Sequence, residues 1–204
     1  MITIIDYGAG NLRSVLNAIA KLGYTTKIVS TPQEVDEAEA LILPGVGAAG
    51  HIMESLKALR LDNAIKEYIN QNRPFLGICV GMQVLLDKTD ENGGNDCLNI
   101  IPGGVRKFNV DLKVPHIGWN QVEQKQNHPV FAGIPDKTDF YFVHSYYCDP
   151  QDKAVIAGET TYGKPFCSAI IKGNMIATQF HPEKSGEPGL KIYDNFIKLA
   201  TAKK

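Results

Sequence analysis

Apolar positions in the first 80 residues fall into two alternating patterns. Ile2 to Ile5 is a continuous apolar run. After the turn Asp6-Tyr7-Gly8-Ala9-Gly10-Asn11, Leu12, Val15, Leu16, Ile19 and Leu22 recur at helical spacing. A short unbroken run reads as a buried strand, and an i, i+3, i+4 recurrence reads as an amphipathic helix. Asn11 is placed to cap that helix and Gly23 to stop it. Further strands are expected over 25–29 and 40–43, the latter broken by Pro44-Gly45-Val46-Gly47. Helices are expected around 51–59 and 61–71, then a strand over 75–78 and a helix over 80–86. Strands separated by helices predict a parallel sheet covered on both faces.

The second half changes character. Residues 114–122, 139–147, 154–158, 166–171 and 175–180 are β-rich and joined by short turns, with Lys172-Gly173-Asn174 as a hairpin connection. A last helix carries Tyr193, Phe196, Ile197 and Ala200 on one face. No repeat, linker or low-complexity stretch divides the chain. The expected fold is α/β over a single domain, residues 1–204. It has a mixed, mainly parallel central sheet flanked by helices, and a β-rich C-terminal half.

Composition narrows the partners. Lys plus Arg total 21 and Asp plus Glu 22, a formal net charge of −1. That balance carries no electrostatic footprint for nucleic acid. No stretch reaches the roughly 18 apolar residues of a membrane helix, and the opening run reads as a strand, not as a signal peptide. The four cysteines, Cys79, Cys97, Cys148 and Cys167, form no CxxC pair. Free thiols in a reducing, cytoplasmic compartment are therefore expected.

Cys79 stands apart from the other three. Phe75-Leu76-Gly77-Ile78-Cys79-Val80-Gly81 is an apolar strand, then Gly-x-Cys-x-Gly, then a helix start. This is the cysteine counterpart of the nucleophile elbow, a turn so sharp that its flanks must be small. The thiol stands at a helix N-terminus, where backbone N–H groups favour the thiolate. In Gln179-Phe180-His181-Pro182-Glu183, the proline pushes His181 towards extended geometry. Residues two apart in an extended chain project to one side, so Glu183 can orient the His181 imidazole. Nucleophile, base and orienting carboxylate make a relay. Gly45, Val46 and Gly47 sit where parallel sheets place ligands. They read as an oxyanion loop, with the N–H of Val80 as a second donor.

These segments, in this order, resemble the class I (triad) glutamine amidotransferases. Within them, Ile4 to Val15, Leu43 to Ala48, Pro115-His116-Ile117-Gly118-Trp119-Asn120, Phe140 to Tyr146 and Gln179 to Gly186 are similar to the glutaminase subunits of imidazole glycerol phosphate synthases. The resemblance runs from Ile2 to about Phe196. It implies hydrolysis of glutamine through a thioester and passage of ammonia to a (β/α)8-barrel cyclase. There ammonia reacts with a ribulosyl aminoimidazole-carboxamide nucleotide in histidine biosynthesis. The barrel is not in this chain, so a separate subunit is expected, and neither metal nor cofactor is implied. By the same resemblance, Cys79, His181 and Glu183 form the triad. Gln83, Glu91, His144, Ser145 and Tyr146 hold glutamine, and Asn11, Trp119, Asn120 and Lys184 face the cyclase.

Other readings fare less well. The turn at Asp6 lacks the third glycine of a dinucleotide loop, Arg13 standing in its place, and no acid follows at the required distance. A cysteine α/β hydrolase would carry its acid before the histidine, not after it. A paralogous glutaminase serving another synthase, for example in surface-sugar biosynthesis, stays open on the motifs alone.

Overall fold

The computed structural model describes residues 1–8 and 11–202. Ala9 and Gly10, which the sequence assigns to the turn after the first strand, lie outside the described residues. Five parallel strands form the centre, side by side in the order β2 (Thr26–Val29), β1 (Ile2–Ile5), β3 (Ala40–Gly45), β4 (Phe75–Cys79) and β13 (Met175–Thr178). Every residue of β1, β3, β4 and β13 is buried, as expected where helices cover both faces. α1 (Leu12–Lys21) packs with the C-terminal helix α6 (Gly186–Thr201). α2 (Pro32–Asp36) and α3 (Ala49–Ala58) pack with α4 (Leu61–Asn70).

The second half extends this sheet with antiparallel pairings. β12 (Lys164–Lys172) returns from β13 through the tight Gly173-Asn174 turn, and β10 (Tyr146–Pro150) and β7 (Ile101–Lys107) follow outward. β5 (Leu86–Thr89) runs parallel to β7, and the two-residue β6 (Asn95–Asp96) closes that edge. A second path leaves β12 through β11 (Ile156–Tyr162) to β8 (His116–Gln124) and β9 (Thr138–His144). The parallel centre and β-rich half therefore follow the sequence expectation.

Several local expectations are corrected. The helix after Cys79, α5, spans only Val80–Gln83; Leu86 already belongs to a strand, because that apolar run is held by the β7 ladder. The expected strand 139–147 is two strands, parted at Ser145. β3 runs on through Pro44 and Gly45, paired with Ile78 and Cys79, whereas its register with β1 ends at Ile42. The proline is tolerated because no ladder partner remains on the β1 side. Asn11 occupies the cap position of α1 without bonding a backbone N–H; its Oδ1 accepts from the Ser14 hydroxyl at 2.8 Å. α2, β5, β6 and β7 have no counterpart in the sequence expectation. Yet Thr31 caps α2 by accepting from the Glu34 N–H, and Pro32 follows it, a legible helix start.

Candidate active site

Cys79 ends β4 and begins α5 with φ 54° and ψ −110°, a backbone conformation costly for a residue with a side chain. Close packing enforces the turn. A side chain at Gly81 would collide with the Leu43 carbonyl, and a Cβ at Gly77 would come within 2.7 Å of the Gly81 oxygen. The elbow is thus wedged between β3 and the first turn of α5, and both flanking positions need glycine.

His181 follows the end of β13 with φ −98° and ψ 99°, extended as its following proline requires. Glu183 reaches it by a different route from the one expected. Pro182–Lys184 is a 3-10 turn, not extended chain, and it brings Glu183 Oε1 within 2.7 Å of His181 Nδ1, which donates. Both side chains are almost fully buried, 1 % and 2 % exposed. Tyr193 of α6 donates to the other Glu183 oxygen at 3.4 Å. Burial opposes a charge on His181, but the Cys79 sulfur and the Glu183 carboxylate outweigh it and hold the imidazole up at about 9. Its Nε2 has no hydrogen-bond partner among the described residues and is the nitrogen left for chemistry.

Cys79 and His181 share a cavity of about 400 Å³ with Val46, Gly47, Val80, Gln83, Glu91, His144, Ser145, Tyr146 and Lys184. The size suits an amino-acid substrate. Of the expected loop, Val46 and Gly47 line the cavity, whereas Gly45 does not. Gly45 pairs with Cys79 in the ladder, and a side chain there would strike the Gly81 backbone, so its role is close packing. Gly47 has φ +87°. Tyr7, assigned no role from sequence, fastens this loop by donating to the Pro44 carbonyl at 2.9 Å.

The expected substrate residues differ in what they can offer. Glu91 Oε2 accepts from the Ala49 N–H at 2.8 Å, which anchors the carboxylate at the start of α3. His144 has both ring nitrogens taken within the protein, by the Tyr146 carbonyl at 2.8 Å and His116 at 3.0 Å. Burial pushes His144 down to about 3 and His116 to about 4, so both are neutral. Gln83 donates to the Tyr146 carbonyl at 3.0 Å and to Gln179 Oε1 at 3.1 Å. Gln179 has no sequence-derived role, yet it is fully buried and its Nε2 stands 3.6 Å from the Cys79 sulfur.

Around the cavity mouth, Trp119 and Ile117 of β8 are each 57 % exposed. Trp119 meets Tyr141 edge-on at 6.1 Å, and Lys184 stands over the same tyrosine ring at 5.8 Å. Because Lys184 also lines the cavity, this apolar face adjoins the cavity opening. Asn120 is half-buried and bonded inward to Thr161 and His116. Asn11 begins α1, which packs against the Pro182–Lys184 turn.

A family model described as glutamine amidotransferase class-I matches residues 3–199. A curated relative from Dehalococcoides mccartyi (strain CBDB1), named imidazole glycerol phosphate synthase subunit HisH, is 54% identical over the whole of both chains. One of the same name from Chloroflexus aurantiacus is 48% identical, covering 99% of this chain and 97% of the relative. Among solved structures, one titled as a glutamine amidotransferase superposes with a TM-score of 0.77 at 18% identity, covering 98% of this chain and 99% of that one. A Thermotoga maritima structure titled PurLQS gives 0.75 at 17%, covering 97% of each chain. These two likenesses speak for the fold alone.

Proposed function

Since the chain belongs to the class I glutamine amidotransferases and, within them, to the imidazole glycerol phosphate synthase glutaminase subunits, we propose that Cys79, His181 and Glu183 carry its glutamine hydrolysis and that a separate (β/α)8-barrel cyclase receives the ammonia. The observation that supports this reading is the strained Cys79 elbow facing the buried His181–Glu183 pair in one substrate-sized cavity.

The Cys79 thiolate attacks the side-chain carboxamide carbon of glutamine. The resulting oxyanion is taken by the Val80 N–H and an N–H of the loop carrying Val46 and Gly47. His181 gives its Nε2 proton to the departing ammonia, leaving a thioester. It then takes a proton from the attacking water, and glutamate is released. Glu183 holds the imidazole tautomer and steadies its charged form. Gln83, Glu91 and the Ser145–Tyr146 strand break enclose the amino-acid part. The barrel docks on the face formed by Trp119, Ile117, Tyr141 and Lys184, where it covers apolar surface and meets the cavity mouth directly. Asn11 and Asn120 border that face. Residues 1–204 act as one domain, in the cytoplasm, where a free thiol persists.

The test uses the chain together with its cyclase. Cys79→Ala is expected to abolish glutamine-dependent product formation, while ammonium salts at alkaline pH still support it. Glutamine-dependent turnover surviving in Cys79→Ala would show that another residue is the nucleophile.

A further inference from the structure

Gln179 sits among apolar strands with no exposure, and its backbone N–H is already committed to the Ser168 carbonyl at 2.9 Å. A buried side-chain amide must find partners for both its ends. One end accepts from Gln83 Nε2 at 3.1 Å, and the other stands 3.6 Å from the Cys79 sulfur.

The orientation of this amide follows from acceptor chemistry. Gln83 Nε2 has two hydrogens, one on the Tyr146 carbonyl and one on Gln179 Oε1. Turning Gln83 over would set its oxygen against that carbonyl, which can only accept. Turning Gln179 alone would set two N–H2 groups against each other. The Tyr146 carbonyl is itself pinned from the far side. His144 Nδ1 must carry the proton it gives to that carbonyl, so His144 Nε2 accepts from His116 Nδ1. His116 Nε2 then accepts from Asn120 Nδ2, whose other hydrogen is on the Thr161 carbonyl. Each hydrogen traced in the series has its own acceptor, and the run ends with Gln179 presenting N–H to sulfur.

We infer that Gln179 is a positioning residue for the nucleophile: its side-chain N–H2 donates to the Cys79 sulfur and stabilises the thiolate left when the thiol proton moves to His181. The donor lies opposite in kind to the triad histidine, because it never exchanges a proton and so serves the sulfur through every stage of the cycle. It rests on the reading of Cys79 as nucleophile.

The test is the pH dependence of Cys79 alkylation by iodoacetamide, in the complex with the cyclase, for wild type, Gln179→Met and Gln179→Leu. Loss of one hydrogen bond to a charged sulfur is expected to move the alkylation midpoint up by about one pH unit. Below the midpoint, kcat for glutamine should fall about tenfold with little change in KM. A packing defect alone would lower the melting temperature and leave the midpoint in place. Midpoints in both variants that match wild type would overturn the inference. In wild-type protein, the Gln179 side-chain amide resonances should shift together with the thiol titration, and resonances that stay flat would overturn it equally, whatever the variants do. Cys79→Ala in the same complex separates the two ideas. If it still hydrolyses glutamine, the nucleophile assignment itself fails, whereas unmoved Gln179 variants beside an inactive Cys79→Ala remove only the role of Gln179.

Discussion

At the scale of the residue, Cys79 carries a backbone cost that fits the nucleophile role proposed for it. With φ 54° and ψ −110°, it lies where a Cβ is crowded and only glycine is comfortable. The β4 ladder and the contact of Gly81 with Leu43 hold it there. Cys79→Ala keeps that strain and Cys79→Gly releases it. Cys79→Gly is therefore expected to be the more stable of the two variants, by about 1 kcal/mol, seen as a higher melting temperature in calorimetry. Equal melting temperatures would mean that the elbow stores no strain. Cys79, His181 and Glu183 were readable from sequence because their demands are local: two small flanks for the turn, one proline and one acid for the base. Gln179 and Tyr7 were not, since their partners lie 100 and 37 residues away in sequence. Only packing of β13 beside β4, and of β1 beside β3, brings them to the site. Trp119 is the converse case, a large aromatic that reads equally well as core, and its exposure decides for the surface.

At the scale of the element, the loop after β3 is the part of the proposed site that would give or withhold a donor for the oxyanion. Strand and loop overlap more than periodicity suggests, because Pro44 and Gly45 stay in register with β4 while β1 has already ended. The free part is Val46-Gly47, fastened behind by the Tyr7 hydroxyl and opened by the positive φ of Gly47. A peptide so placed has two orientations, one with N–H and one with C=O towards the cavity. A partner that binds one orientation better shifts the loop only by that difference in affinity; moving it from about 1% to 99% takes roughly 5.5 kcal/mol. The isolated chain is expected to hydrolyse glutamine slowly, and cyclase with its nucleotide to raise kcat far more than it lowers KM. Gly47→Pro, which forces φ to about −65° and deletes the N–H, should blunt that response. Steady-state glutaminase assays on the chain alone, with cyclase, and with cyclase plus nucleotide decide the matter: equal kcat in all three would sink the gating. The β-rich half shows where element reading runs out. β5 and β6 are only four and two residues long, and β5 is held by its ladder to β7, with a register shift after Leu86. No local period marks Leu86–Thr89 as a strand instead of a continuation of α5.

At the scale of the whole molecule, buried histidines give opposing pH dependences, and their balance bears on where the fold is most stable. His181 is raised to about 9 against an unfolded value near 6.5. Its charged form is the one the fold prefers, so its contribution is complete below about pH 6.5 and is lost as pH climbs towards 9. His144 and His116 go the other way, down to about 3 and about 4, because burial disfavours their charged forms. Their contribution is complete above about pH 6.5 and is lost as pH falls through those values. Each binds a proton on unfolding across that interval, which makes the acid limb fall by up to about 1.4 kcal/mol per pH unit for each histidine. Stability should therefore peak near pH 6.5 and decline on both sides, with the alkaline limb owed to His181 and the acid limb shared between the pair behind Tyr146 and His128, which burial also lowers. Urea denaturation across pH 4.5 to 9 measures both limbs. His181→Gln should flatten the alkaline one alone. His144→Gln should reduce the slope of the acid one even where its overall stability is lower, because a slope counts protons and not contacts. An acid limb of unchanged slope in His144→Gln would mean that this ring is already charged in the fold. In that case Nε2 could no longer accept from His116, and the directed series of hydrogen bonds from Asn120 to the Tyr146 carbonyl would be broken at its middle.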